Sequence, residues 1–356
     1  MIASLDFGSS LTKALVFDGS EFRIFKFSLS YSPQQFSRKN VLESIRILQS
    51  LSGCQLIDSG NRPLYKIYVS TALPLSEESV EGTQPYQTLS SSKVLSSWEL
   101  PVLDYGYQFI RFRDRVSVQN FDASQVLRWL PFKSTLAEIE NYVDNRKIYS
   151  NVLPIFPRDL YIEQAMARES IIQFMRGQNS LDSFAEIVIS GSIFGTNPFL
   201  SQSLLILLDS ISFAEKLDVY LDAQSCVAVL GLLKLVEPEV YDEVPGFLRP
   251  KFLGTVLRFN GDAQVTIDLG LEKPLDVSVG SGSLFLFPLR AGETADVGVV
   301  LTGRKEKRFK ICGGELGFLI DCRSFPLVLP TDAQRRIGLL KEWEKSIGAT
   351  GRIHEI

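Results

Sequence analysis

The sequence predicts an α/β protein of two similar halves followed by a small all-β module, on three observations. Each half opens with an apolar strand ending in an Asp-aromatic-Gly turn, helical periodicity dominates the middle of the chain, and from residue 252 the pattern changes to period-two alternation with Gly and Pro turns. At 356 residues the chain has room for two or three units, each with its own core. The expected divisions are residues 1–99, 100–237, a linker at 238–251, an all-β module at 252–330, and a closing helix and tail at 331–356.

In the first half, an apolar strand over residues 1–5 runs into Asp6, Phe7, Gly8, Ser9, Ser10, Leu11, Thr12 and Lys13, and a second strand follows at 14–18. These residue types suit a phosphate-binding hairpin. Gly8 allows close backbone approach, Ser9, Ser10 and Thr12 offer hydroxyl donors, and Lys13 supplies charge. Asp6 can hold a hydrated magnesium ion, which takes few carboxylates and keeps several waters. A plain surface hairpin, with Gly and Ser only making the turn, fits the same residues. Residues 21–29 alternate as a third strand, and Val41, Leu42, Ile45 and Leu48 mark an amphipathic helix over 38–51. A strand is expected at 65–70, and residues 74–97, rich in Ser, Glu, Gln and Thr, read as a long loop.

The second half repeats this opening. Residues 100–105, 107–112 and 115–118 read as three short strands, and Leu103-Asp104-Tyr105-Gly106 parallels Leu5-Asp6-Phe7-Gly8. A duplicated unit with a ligand between its copies would set Asp6 and Asp104 across one cleft. Chance recurrence of a common turn triplet is the other reading. Helices follow at 123–130, 136–144 and 158–174, the last preceded by Pro154 and Pro157. A buried strand at 185–189 leads into Ser190-Gly191-Ser192, then a helix at 199–208, a strand at 217–221 and a helix at 223–235 with Asp222 or Ala223 near its N-cap. In the module, strands are expected at 256–257, 265–269, 275–279, 284–289, 297–301, 309–312 and 318–321, with a final helix at 331–346.

A net charge of -4 and a pI of about 5.4 provide no global attraction to nucleic acid or an anionic membrane, so partners must be recognised locally. The absence of a long apolar run and of a signal-peptide pattern leads to the expectation of a cytoplasmic protein. Cys54, Cys226, Cys312 and Cys322 lack ligand spacing, and the only histidine, His354, sits near the end, which disfavours zinc sites and His-based catalysis. The basic run from Arg304 to Lys310 reads as a hairpin tip, Gly280 to Ser283 as a β-turn, Phe285 and Phe287 as core, and Asp321 with Arg323 as a structural ion pair.

Three candidate phosphate or nucleoside loops, in this order on duplicated βββαβ units, resemble the actin, Hsp70 and sugar-kinase ATPase fold, which is RNase H-like. More specifically, the chain resembles the MutL or GlmL family associated with glutamate mutase. The residues that carry the resemblance are Asp6 to Lys13, Trp129-Leu130-Pro131-Phe132, residues 141–145, Glu163-Gln164-Ala165 with Ala167-Arg168-Glu169, and residues 204–209. Gly313-Gly314-Glu315-Leu316-Gly317 and Ile320-Asp321-Cys322-Arg323 extend it, so that it covers residues 1–20 and 100–345.

The resemblance implies an ATP-binding cleft and an accessory or reactivating role for an adenosylcobalamin-dependent mutase. By position, Asp6 and Asp104 would be the catalytic carboxylates and Asp6 would organise magnesium. Gly8, Ser9, Ser10, Thr12 and Lys13 would hold phosphates, Asp104 and Gly106 would form the second phosphate loop, and Ser190, Gly191 and Ser192 would face the adenosine. The pattern departs at the second loop, where Tyr107, Gln108, Phe109 and Ile110 replace small and hydroxyl residues, and at Gly191, which is followed by Ser192 rather than another glycine. The first subdomain is also short. Loss of one preorganised donor typically costs roughly 100- to 1000-fold in rate. The expectation is therefore ATP binding with at most slow hydrolysis, coupled to a protein partner. The alternative is an actin-fold scaffold that uses no nucleotide. A small-molecule kinase is a third possibility, lacking a base beyond Asp104 and any sugar-binding signature.

Overall fold

The computed structural model describes residues 2–7, 11–27, 37–57, 66–71, 87–106, 109–113, 115–118, 122–149, 152, 154–176 and 184–349. Gly8, Ser9, Ser10, Tyr107, Gln108 and His354 lie outside them, as do residues 74–86 of the expected long loop.

The first half consists of β1 (Ile2–Phe7), β2 (Thr12–Phe17), β3 (Phe22–Phe27), α1 (Arg38–Ser52), β4 (Lys66–Thr71), β5 (Gln87–Ser90) and α2 (Ser91–Leu95). Its sheet runs β3-β2-β1-β4-β5, with the first two pairings antiparallel and the last two parallel. Strand alternation sends Ala3, Leu5, Phe7, Ala14, Val16, Ile67 and Val69 to one face, where Val41, Ile45 and Leu48 of α1 cover them. Asn40 Oδ1 accepts the Ser37 N–H at 2.8 Å and so starts α1, and Gly53 at φ 70° ends it. The stretch expected as a loop thus holds β5 and α2. Leu89 and Val94 draw it onto the apolar face of a later helix, a tertiary effect that its polar composition does not announce.

The second half runs β6 (Val102–Tyr105), β7 (Phe109–Phe112), β8 (Arg115–Val118), α3 (Ala123–Val126), α4 (Leu136–Ile148), α5 (Pro157–Met175), β9 (Glu186–Gly191), α6 (Ser192–Thr196), α7 (Leu200–Ser210), β10 (Lys216–Leu221), α8 (Val227–Val236) and α9 (Pro238–Asp242). The order β8-β7-β6-β9-β10 repeats the first sheet strand for strand and sense for sense. The protein is therefore α/β with two RNase H-like halves. Helix α8 begins four residues later than expected because Asp222, acting from outside it, accepts the Val227 N–H at 2.8 Å.

The remaining strands are β11 (Lys251–Arg258), β12 (Ala263–Asp268), β13 (Leu275–Val279), β14 (Leu284–Phe287), β15 (Thr294–Leu301), β16 (Lys307–Cys312) and β17 (Gly317–Asp321), followed by α10 (Ala333–Ser346). They do not make one separate module. β11, β17 and β14 extend the second sheet beyond β10, and only β13-β12-β15-β16 form a sheet of their own. The shared strands are buried on both faces: Leu253, Val256 and Leu319 join the helical core, while Leu257, Phe318 and Ile320 face the four-stranded sheet. Period-two alternation reports a strand but not its neighbour, which is why the division went unseen. Gly254 and Gly317 permit the contact, since a Cβ on Gly254 would lie 2.0 Å from the Gly317 carbonyl oxygen. The expected linker is ordered too, with α9, a 3-10 turn at Gly246–Leu248, and Val244 and Leu248 buried against Ile2, Leu15 and Tyr68. Gly280 to Ser283 is the expected turn, closed by Ser283 N–H to the Gly280 carbonyl at 3.1 Å.

The Asp321–Arg323 pair forms, within a larger buried cluster. Asp321 also accepts from Arg258 at 3.0 Å, Arg323 reaches Asp209 at 2.7 Å, and Arg168 bonds the other Asp209 oxygen at 2.7 Å. Trp343 of α10 stacks on Arg323, 4.6 Å from ring centre to guanidinium. Glu344 lies beside this cluster and accepts from the Tyr161 hydroxyl at 3.1 Å. Burial raises its carboxyl from 4.5 to about 7, with Arg168 and Tyr161 opposing and Asp209 assisting. A raised folded pKa means a contribution that is complete below the unfolded value and lost as pH rises through the folded one. Glu344→Gln should therefore remove a decline in unfolding free energy of up to about 3 kcal/mol between roughly pH 5 and 7. Urea denaturation at both pH values tests this, and equal slopes for the two proteins would refute it.

Candidate functional site

Both repeated aspartates stand near the carboxyl end of the middle strand of the repeated five-strand unit, Asp6 on β1 and Asp104 on β6. Alternation puts Ile2, Ser4 and Asp6 on one face with Lys13, Leu15, Tyr68 and Ser70, their register partners on β2 and β4. In the second sheet, Asp104 shares a face with Val102, Val188 and Ser190. Helix α8 lies between these two faces. Its Val229, Leu230 and Leu233 pack on Ile2, Leu15 and Tyr68, and its Val227 and Ala228 pack on Val102 and Val188. The apolar helix α8 thus brings the polar ends of both sheets together, as the duplication predicts.

Asp6 and Asp104 share a guanidinium. Arg111 sits on β7 directly opposite Asp104 in the strand register. Its Nε donates to Asp104 Oδ2 at 2.6 Å, while Nη1 and Nη2 donate to the two oxygens of Asp6 at 2.9 and 3.1 Å. Nη2 also contacts Asp104. The three residues are 1%, 0% and 4% exposed for Arg111, Asp6 and Asp104. At such burial each charge depends on its partners, because an unpaired ion there loses several kcal/mol of hydration without compensation. Burial alone would raise the Asp104 pKa, yet the charges of Arg111 and Lys13 and the hydrogen bonds from Arg111 and Ser190 hold it below its usual range. Burial likewise opposes the charged form of Arg111, but Asp104 and Asp6 outweigh it and raise its pKa.

Sequence reasoning missed Arg111, although a signal was present. Ile110 and Phe112 are core residues of the helical side, so the residue between them faces the junction, and an arginine there needs an acidic partner. It also missed Asp222 as a site residue. Asp222 is buried, accepts the Ser190 hydroxyl at 2.8 Å, and has its pKa raised by burial against the N–H groups of Cys226 and Val227, Ser190 and the charge of Lys13.

The remaining expected residues separate. Lys13 is 8% exposed beside Asp6, and its charge acts on Asp104 and Asp222. Thr12 alternates in phase with Ala14 and Val16, so it falls on the α1 side of the sheet, away from Asp6. Gly106 follows β6, half-buried. Gly191, at φ 108°, lies against β6, where a Cβ would come within 1.9 Å of the Tyr105 carbonyl oxygen. Strand contact alone thus requires that glycine. Ser192 opens α6, half-buried. Among the described residues, the buried hydroxyls of Ser4 and Ser70, on the Asp6 face, have no hydrogen-bond partner.

Magnesium does not fit this arrangement. A divalent ion at the junction would need oxygen ligands from Asp6 or Asp104, and both carboxylates already surround a guanidinium that fills the space between them. Nor does the charge favour a phosphate. Arg111 and Lys13 balance Asp6 and Asp104, and Asp222 adds either nothing or one more negative charge. No surplus positive charge remains among these residues.

No family model matches the sequence, nor does any curated protein. Solved structures that it resembles include the ethanolamine utilization protein EutJ from Carboxydothermus hydrogenoformans, at 10% identity over 65% of this chain and 88% of that one, with a TM-score of 0.36. A hexokinase from Schistosoma mansoni, complexed with glucose, aligns at 9% identity over 65% and 83%, TM-score 0.32. The pSK41 ParM protein, in apo form, aligns at 12% identity over 68% and 98%, TM-score 0.34. The fold assignment stands on the strand orders and registers of the two sheets, not on these likenesses.

Proposed function

We propose that this protein is an actin-fold accessory protein acting on a protein partner, in which metal-dependent ATP hydrolysis has been lost. The observation that carries the reading is Arg111, buried and bonded to both Asp6 and Asp104. Phosphoryl transfer relies on positioned groups and cations to stabilise developing charge, and here the two carboxylates are engaged in holding the halves of the protein to each other. The resemblance to the MutL or GlmL family supports an adenosylcobalamin-dependent mutase as the partner to try first. A second reading, ATP binding without turnover, is favoured by the unpartnered hydroxyls of Ser4 and Ser70 on the Asp6 face.

Phosphate release from millimolar ATP and magnesium should equal the buffer rate. Turnover that disappears in Asp104→Asn would overturn the main reading. Calorimetry with ATP separates the two readings: heat lost in Lys13→Ala supports binding, and no heat supports a scaffold that uses no nucleotide.

A further inference from the structure

We infer that Arg111 is a built-in replacement for a divalent cation, and that the junction between the halves is a latent metal site which the guanidinium keeps closed. Two carboxylates from different sheets converge on one point: both oxygens of Asp6 and one of Asp104 lie within 3.1 Å of Arg111 nitrogens. Such a convergence, sealed from water, requires a cation at its centre. The chain supplies one from β7. A guanidinium and a hard divalent ion take the same oxygen ligands, so they exclude each other at this point. The surroundings suit the ion once the guanidinium is gone. The Ser70 hydroxyl stands beside Asp6 in the strand register without a partner among the described residues, and Ser190 stands beside Asp104. Both are oxygen donors of the kind magnesium and manganese accept. This inference extends the proposed loss of metal-dependent chemistry by naming its cause in one residue.

The test is Mn2+ titration followed by paramagnetic resonance, without nucleotide, on the full chain and its variants. Wild type should leave the ion free. Arg111→Ala should bind one Mn2+ with a Kd on the order of 0.1–1 mM, the range of sparsely charged oxygen sites, and gain thermal stability on binding. Adding Asp6→Asn to Arg111→Ala should abolish both effects. Folded Arg111→Ala that binds no ion overturns the inference, and so does wild type that binds Mn2+ in a manner lost in Asp6→Asn. If Arg111→Ala is unfolded without metal, recovery of its circular dichroism in millimolar Mn2+ supports the inference and failure to recover overturns it. ATP turnover by wild type would defeat the proposed function but leaves these metal measurements unchanged, so the two can fail separately.

Discussion

Replacing Arg111 with alanine should lower the unfolding free energy by about 3–5 kcal/mol, because it leaves two buried carboxylates without their cation. The cost arises from the stranded charges more than from the lost contacts. Arg111→Met with Asp6→Asn should therefore be more stable than Arg111→Met alone, a non-additivity that a double-mutant cycle in urea measures directly. The pH dependence has a defined sign. In wild type the Asp104 pKa is depressed, so its contribution is present above the ordinary 3.8 and fades as pH falls through the folded value. In Arg111→Ala the facing carboxylates favour sharing a proton, which stabilises the variant at low pH. The gap between the two proteins should close on acidification, and a gap constant with pH would show that the lock is not electrostatic.

Asp321→Ala should be comparably damaging, at about 3–5 kcal/mol. Asp321 is 1% exposed and accepts from both Arg258 and Arg323, whose charges hold its carboxyl below the usual range against burial. Its removal leaves Arg323 bonded to Asp209, and Arg258 to the carbonyls of Leu208 and Ile211 with no carboxylate of its own among the hydrogen bonds described. Trp343 rests on Arg323 and donates to the Gly282 carbonyl at 2.8 Å, so the seating of α10 should loosen as well. Urea denaturation and the emission of Trp343 report the two effects. A loss below about 1 kcal/mol, the scale of an exposed pair, would refute this account.

Much of the fold could be read from the sequence because it is encoded locally. The hairpin of β1 and β2, the capped helix α1 and the long helix α5 each carry their own periodicity or boundary residues, and the repeated Asp-aromatic-Gly turn anticipated that Asp6 and Asp104 would meet. What they meet on was missed. Attention to lost donors at residues 107–110 passed over the arginine next to them, whose role depends on a carboxylate more than a hundred positions away in sequence. Sheet membership was missed for a similar reason. Nothing within β11, β14 or β17 distinguishes membership of the second sheet from membership of the four-stranded one, since apolar residues lie on both faces of these strands and the choice is made by distant partners. Asp222 was expected near the N-cap of α8, but the cap is Cys226 and Asp222 stands outside the helix, where its bond to Ser190 depends on the adjacent strand.

The strands β11, β17 and β14 continue the second sheet, which makes the C-terminal stretch inseparable from what precedes it. Cutting the chain near residue 250 would bare the backbone of β10 along its whole length and uncover Leu253, Val256 and Leu319's side of the helical core. Such a fragment would self-associate instead of standing as a smaller soluble unit. Limited proteolysis of the intact chain should accordingly spare this region, and melting should show the second half and the C-terminal strands disappearing in one step.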